Sequence, residues 1–134
     1  MGYEIGLCHD LLEKTDTTAN QLNKKLLSFG YPEIQALHIT GCVVELTDVF
    51  TRKAFPELRK KERKKKEAAR LAGISTDAQT VKYADLLYNI NWTVTHDKKN
   101  MADYLHRKQK LIVSMTNGNE LLRCEVLSLI AILV

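Results

Sequence analysis

The chain has 134 residues, enough to bury one real core and few enough to form a single domain over 1–134. An apolar fraction of 45% and a charged fraction of 27% exclude intrinsic disorder, and 6 Gly with 2 Pro are too few turn-formers for a protein of many short strands. The net charge of +4 is unevenly placed: residues 52–70 hold ten Lys or Arg against three Glu, which leaves the rest of the chain mildly acidic. Cys8, Cys42 and Cys124 are odd in number, widely spaced and without a CxxC pair, which excludes a zinc knuckle and a disulfide framework. They read as reduced core thiols of a cytoplasmic protein. The start shows no secretory signal, and the apolar run from Val126 to Val134 is too short to cross a membrane.

In chain order the pattern predicts helices only. The first covers 3–14, with Ile5, Cys8 and Leu12 on one face, and Asp16-Thr17-Thr18 stops it and caps the next. A second runs over about 18–29 with Leu22, Leu26 and Phe29 as its stripe; Gly30 supplies its C′ residue and Pro32 follows. Pro32 opens a third, which carries Ile34, Leu37, Val44, Leu46, Val49 and Phe50 and is expected to be heavily buried. Pro56 starts a fourth over about 55–72, nearly all cationic from Arg59 to Lys66, with a thin apolar stripe. Ser75 caps a fifth over 76–95, and further helices cover about 100–115 and 119–133, with a turn at Asn117-Gly118-Asn119. The class is therefore all-α.

Two stretches carry candidate chemistry. In Val81 to Asn89, Asp85 and Asn89 are four apart and share a helix face. Val81, Tyr88 and Trp92 fall on or beside that face, so the carboxylate is expected in apolar company, where an ionised group needs a cation. Lys82, a helix N-terminus or a metal ion would serve. In Leu7 to Glu13, His9 and Asp10 are adjacent, about 100° apart on a helix, and reach one ion only from an edge. Taken alone, the pair reads more readily as a surface or capping His and Asp. Glu13 follows one turn on, placed to orient a water or act as a base. His38 reads as a hydrogen-bonded core residue. The cationic helix reads as a solvated face, with charge-only attraction of nucleic acid as the lesser reading. No GxxxxGK[ST] or GxGxxG loop is present.

Together these stretches resemble the HD-domain phosphohydrolase superfamily, and most closely the hydrolase domain of the bifunctional guanosine-polyphosphate enzymes and their small relatives. That branch carries L-x-H-D-[apolar]-[apolar]-E-D-T, here Leu7-Cys8-His9-Asp10-Leu11-Leu12-Glu13-Lys14-Thr15. It also carries K-x-A-D-x-x-x-N, here Lys82-Tyr83-Ala84-Asp85-Leu86-Leu87-Tyr88-Asn89. The stretches between and the region from Asp97 to Leu105 are similar too, so the likeness runs from about residue 5 to about 115.

The resemblance implies an HD-domain-like helical bundle with a divalent ion, manganese in this branch, on His9, Asp10 and Asp85. Glu13 would position the attacking water, and Lys82 and Asn89 would contact a nucleotide phosphate or pyrophosphate ester. Two features depart from the pattern. The family's first His lies well before the HD pair, whereas only eight residues precede His9, so the bundle is expected to be N-terminally shortened by about two helices. The family's E-D pair reads Glu13-Lys14. The missing helices would leave the first and third helices with an uncovered apolar surface, which implies a homo-oligomer, a dimer. The expected partners are a phosphorylated nucleotide-type molecule and a second copy, not a membrane, with nucleic acid kept only as the lesser reading of the cationic helix. The alternative is an inactive HD module that binds a nucleotide or a protein.

Overall fold

Local side-chain chemistry sets most helix ends. Thr18 and Gln21 form a reciprocal capping box: Thr18 Oγ1 accepts from the Gln21 N–H (3.2 Å) and Gln21 Oε1 from the Thr18 N–H (2.9 Å). At the far end of the same helix Gly30 adopts φ +95°, a conformation open to glycine at no steric cost. The N–H groups of Gly30 and Tyr31 then bond back to Leu27 O (3.0 Å) and Leu26 O (3.2 Å), the Schellman arrangement. Asn119 Oδ1 caps the last helix by accepting from the Leu122 N–H (2.9 Å). Ser75 precedes its helix as expected but makes no side-chain cap hydrogen bond.

The computed structural model describes residues 1–134 and is helical throughout, with no strand. The helices are α1 Gly2–Cys8, α2 Leu11–Lys14, α3 Ala19–Ser28, α4 Glu33–Leu46, α5 Lys60–Leu71, α6 Thr76–His96, α7 Met101–Ser114 and α8 Glu120–Leu133. A single 3₁₀ turn, Lys98–Asn100, precedes α7. The chain forms two compact units, Met1–Glu67 and Ala68–Val134, and the division falls within α5. No helix is long and apolar enough to cross a membrane.

Three boundaries differ from the sequence pattern. The expected helix 3–14 is broken at His9-Asp10 into α1 and α2. The third helix ends at Leu46, where Thr47 Oγ1 folds back to Val43 O (2.8 Å), so Val49 and Phe50 lie in the following turn. The fourth begins at Lys60, not near Pro56, with Glu62 Oε2 accepting from the Arg59 N–H (2.9 Å).

In the first unit α4 is the centre, packing against α1, α2 and α3. Ala36, Ile39, Val43 and Leu46 form its buried face, opposite Ile5 of α1 and Leu22 and Leu26 of α3. Its other face is also apolar but exposed: Ile34 is 82% exposed, Leu37 55% and Val44 45%, with exposed Gly41 between them. The expectation that this helix is heavily buried therefore holds for one side only. Phe29 is exposed rather than part of the α3 stripe, with Lys25 Nζ over its ring at 5.3 Å. Of the cysteines, Cys42 is buried, Cys8 half-buried and Cys124 exposed, so Cys124 is not a core thiol. His38 is half-buried, 3.8 Å from Cys42 Sγ.

In the second unit α6 packs against α7 and α8 through Val81, Tyr83, Leu86 and Ile90. Two fully buried polar side chains fix it. Tyr83 Oη donates to Met115 O (2.6 Å) and accepts from the Gly118 N–H (3.2 Å). Gln79 Oε1 accepts from the Asn117 N–H (2.7 Å), while its Nε2 donates to Ala72 O (3.0 Å) and Leu71 O (3.3 Å). Arg123 closes the same turn from α8, donating Nε to Met115 O at 2.9 Å.

Gly118 sits so close to the Tyr83 ring and to Thr80 N (2.9 Å) that a Cβ there would overlap both, whereas one at Gly73 would meet only Arg70 O at 3.7 Å. Tyr83→Phe should cost about 1–3 kcal/mol by leaving the Gly118 N–H without its acceptor and removing one of the two donors to Met115 O. Gly118→Ala should cost a similar amount by overpacking, roughly 1–3 kcal/mol. Urea unfolding of both, with Gly73→Ala as the mild comparison, checks this.

Candidate functional site

The break between α1 and α2 presents the His9-Asp10 pair. His9 Nδ1 lies 2.6 Å from Gly6 O, and since a carbonyl only accepts, Nδ1 carries the proton. Nε2 then faces Asp10 Oδ2 at 3.4 Å. Protonated on both nitrogens, the ring forms an ion pair with Asp10. Protonated on Nδ1 alone, it leaves an imidazole lone pair and a carboxylate facing the same space, an arrangement a cation completes. A backbone carbonyl holding Nδ1–H is how a ligating histidine is commonly oriented.

Glu13 stands in α2, and its carboxyl is pushed above the ordinary carboxylate value. Partial desolvation is the main cause, followed by the charge of Asp48, a hydrogen bond with Asp48, and the charge of Asp10; Lys14 acts the other way. Asp48 was not singled out from sequence. Its only local signal was the polar Thr47-Asp48 stop after a long apolar helix. Asp10 and Asp48 thus both raise Glu13, and Asp10 also faces His9, all within the first unit.

The second predicted stretch lies on α6, in the second unit. Of the apolar residues expected beside Asp85, Val81 is buried, whereas Tyr88 is 69% and Trp92 50% exposed, and Trp92 stacks on His96 at 4.6 Å. Lys82 Nζ approaches Asp85 Oδ2 at 3.3 Å and Asn89 Nδ2 donates to Oδ1 at 3.0 Å. Both carboxylate oxygens are thereby engaged by the residue three before and the residue four after, a local row along one helix. Tyr104 of α7 lies near enough to sense this charge. Its hydroxyl is raised above the ordinary tyrosine value chiefly by burial; a bond with Thr93 opposes the rise and Asp85 adds to it.

Nowhere does the chain gather three or more His, Cys, Asp or Glu side chains in an arrangement that could hold a metal ion. His9 and Asp10 fit the chemistry of two donors, one short of the three protein ligands that catalytic divalent sites usually carry. No family model matches the sequence, and neither curated proteins nor solved structures return a match.

The raised Glu13 carboxyl has a consequence for stability. A carboxyl raised on folding contributes its stability below its unfolded value, near 4.5, and loses it as pH rises through the folded value. Glu13→Gln should therefore be more stable than the wild type at pH 7, and the gain should shrink as pH falls through the raised folded value and be nearly gone below about 4.5. Thermal melts of the two proteins from pH 3.5 to 7.5 measure the difference.

Proposed function

We propose that the chain is a protein of the HD-domain, metal-dependent phosphohydrolase type, acting on a nucleotide phosphate or pyrophosphate ester, with His9 and Asp10 as its metal-binding pair. The observation that carries this is the orientation of His9: Nδ1 is held by Gly6 O and Nε2 is turned to Asp10. The order of the two sequence motifs supports it. Glu13, with its raised affinity for a proton, suits the holding and return of a proton beside the pair. A divalent ion there would supply Lewis acidity and an acidified water.

Titration calorimetry with manganese tests the pair directly. About one ion per chain is expected, with affinity reduced at least tenfold in His9→Ala and in Asp10→Asn at unchanged circular dichroism. Equal heats in wild type and variants would remove the pair from any metal role.

A second reading, a binding module that works as a homo-oligomer, is favoured by the exposed stripe of α4. A helix apolar on both faces ordinarily has partners on both. Ile34, Leu37, Gly41 and Val44 recur at helical spacing, and Gly41, over which nothing lies within 4 Å of a Cβ, would let a second copy cross closely. Leu37 and Val44 flank that point, as a two-fold contact needs. Tyr3 and Leu7 of α1, 77% and 68% exposed, extend the apolar surface of this unit. Light scattering at micromolar concentration should give twice 15.3 kDa for the wild type and 15.3 kDa for Leu37→Glu. A wild-type monomer would end this reading.

A further inference from the structure

Apart from the His9 region, the strongest feature is the charge on the first two turns of α5. Seven of the eight residues from Arg59 to Lys66 are cationic, and none is apolar. No residue from 47 to 70 is buried. Successive residues on a helix turn by about 100°, so Lys60, Lys61, Lys64 and Lys65, all exposed, cover the outward side of the axis, while half-buried Arg63 donates to Leu58 O. Glu62 is paired with Arg59 at 3.7 Å, and Glu67 turns to the preceding loop, accepting from the N–H groups of Phe50 (2.9 Å) and Val49 (3.2 Å).

The arrangement discriminates among anionic partners. A membrane surface is bound by a helix with an apolar face to bury among the acyl chains, and these eight residues have none. Single strands are held by aromatic side chains on which bases stack. The two nearby rings, Phe50 and Phe55, pack on each other at 5.0 Å, and Lys66 lies over Phe50 at 5.9 Å, so they are committed within the protein. A small phosphate ligand needs cations that converge, and here they diverge. Cations spread across the whole outward side of one helix suit a partner whose phosphates flank it on both sides. The major groove of a duplex, about 12 Å wide with a phosphate backbone on each wall, admits a helix and meets that description.

We propose that the first two turns of α5 bind double-stranded nucleic acid through its phosphates, without reading sequence. This takes up the lesser reading of the sequence, charge-only attraction of nucleic acid, in place of the merely solvated face. It rests on the exposed outward row of Lys60, Lys61, Lys64 and Lys65. It is independent of the metal pair.

The test is fluorescence anisotropy of the full chain with a labelled 20-base-pair DNA duplex. Binding is expected at 50 mM salt. For about four neutralised phosphates the affinity should fall roughly 100-fold by 200 mM. An unrelated duplex should bind within twofold. Lys60→Glu/Lys61→Glu/Lys65→Glu should abolish binding with helicity and melting unchanged, whereas the control Lys98→Glu/Lys99→Glu, a cationic turn in the other unit, should retain most of it. Should the reversal variant fail to fold, the triple alanine variant should weaken binding at least tenfold. The proposal is overturned by any of four results: no binding at 50 mM salt, binding retained by the α5 variants, equal loss in the control, or tighter binding to a 20-nucleotide single strand or to phosphatidylserine vesicles than to the duplex.

Discussion

Buried hydrogen bonds of Gln79 and Tyr83 set the second half of the molecule. Both side chains are removed from water, so each polar atom left without a partner would carry a large cost. They meet it by taking up backbone groups that the ends of other helices leave over. Gln79 takes the last carbonyls of the α5 end, Leu71 O and Ala72 O, and the N–H of Asn117, while Tyr83 takes Met115 O and the Gly118 N–H. A helix held at two such points cannot rotate about its axis. Leu86 and Ile90 continue the same buried stripe, and Lys82, Asp85 and Asn89 are thereby placed roughly a quarter turn around α6. The polar row is thus a consequence of where the buried hydrogen bonds fall.

The first half depends on α4, whose sequence is apolar on two faces. One face gathers α1, α2 and α3; the other, from Ile34 to Val44, remains at the surface. The same half contains the only departure from helix inside an otherwise continuous pattern, at His9-Asp10. Both residues keep right-handed helical dihedrals across that turn, and Nε2 of His9 lies 3.4 Å from its neighbour's carboxylate. A break that would weaken a purely structural helix is where the candidate chemistry sits.

Helix class and most helix ends were legible in the sequence because their causes are local. Thr18 with Gln21, Gly30 before Pro32, and Asn119 each act on residues within one turn. The break at His9-Asp10 was not legible, since neither residue interrupts a helix by its own backbone preference as Gly or Pro would. The early end of α4 turned on a Thr47 hydroxyl that competes for a backbone carbonyl, a weak signal in a strongly apolar run. The Gln79 and Tyr83 hydrogen bonds join residues more than thirty apart, beyond any periodicity. At the site, the adjacency of His9 and Asp10 was read directly, while Asp48 was missed because only the fold carries it back to Glu13. Apolar company for Asp85 was inferred from Val81, Tyr88 and Trp92; Val81 is buried, while Tyr88 and Trp92 are largely exposed.

The account rests most heavily on His9 and Asp10 acting as a pair of metal donors. Paramagnetic line broadening reads this most directly, by adding substoichiometric manganese to the ¹⁵N-labelled protein and following every amide signal. The account predicts that His9, Asp10 and their neighbours in α1 and α2 broaden first, and that His9→Ala removes the effect. Broadening that begins at other exposed carboxylates, with the His9 region untouched, would contradict it.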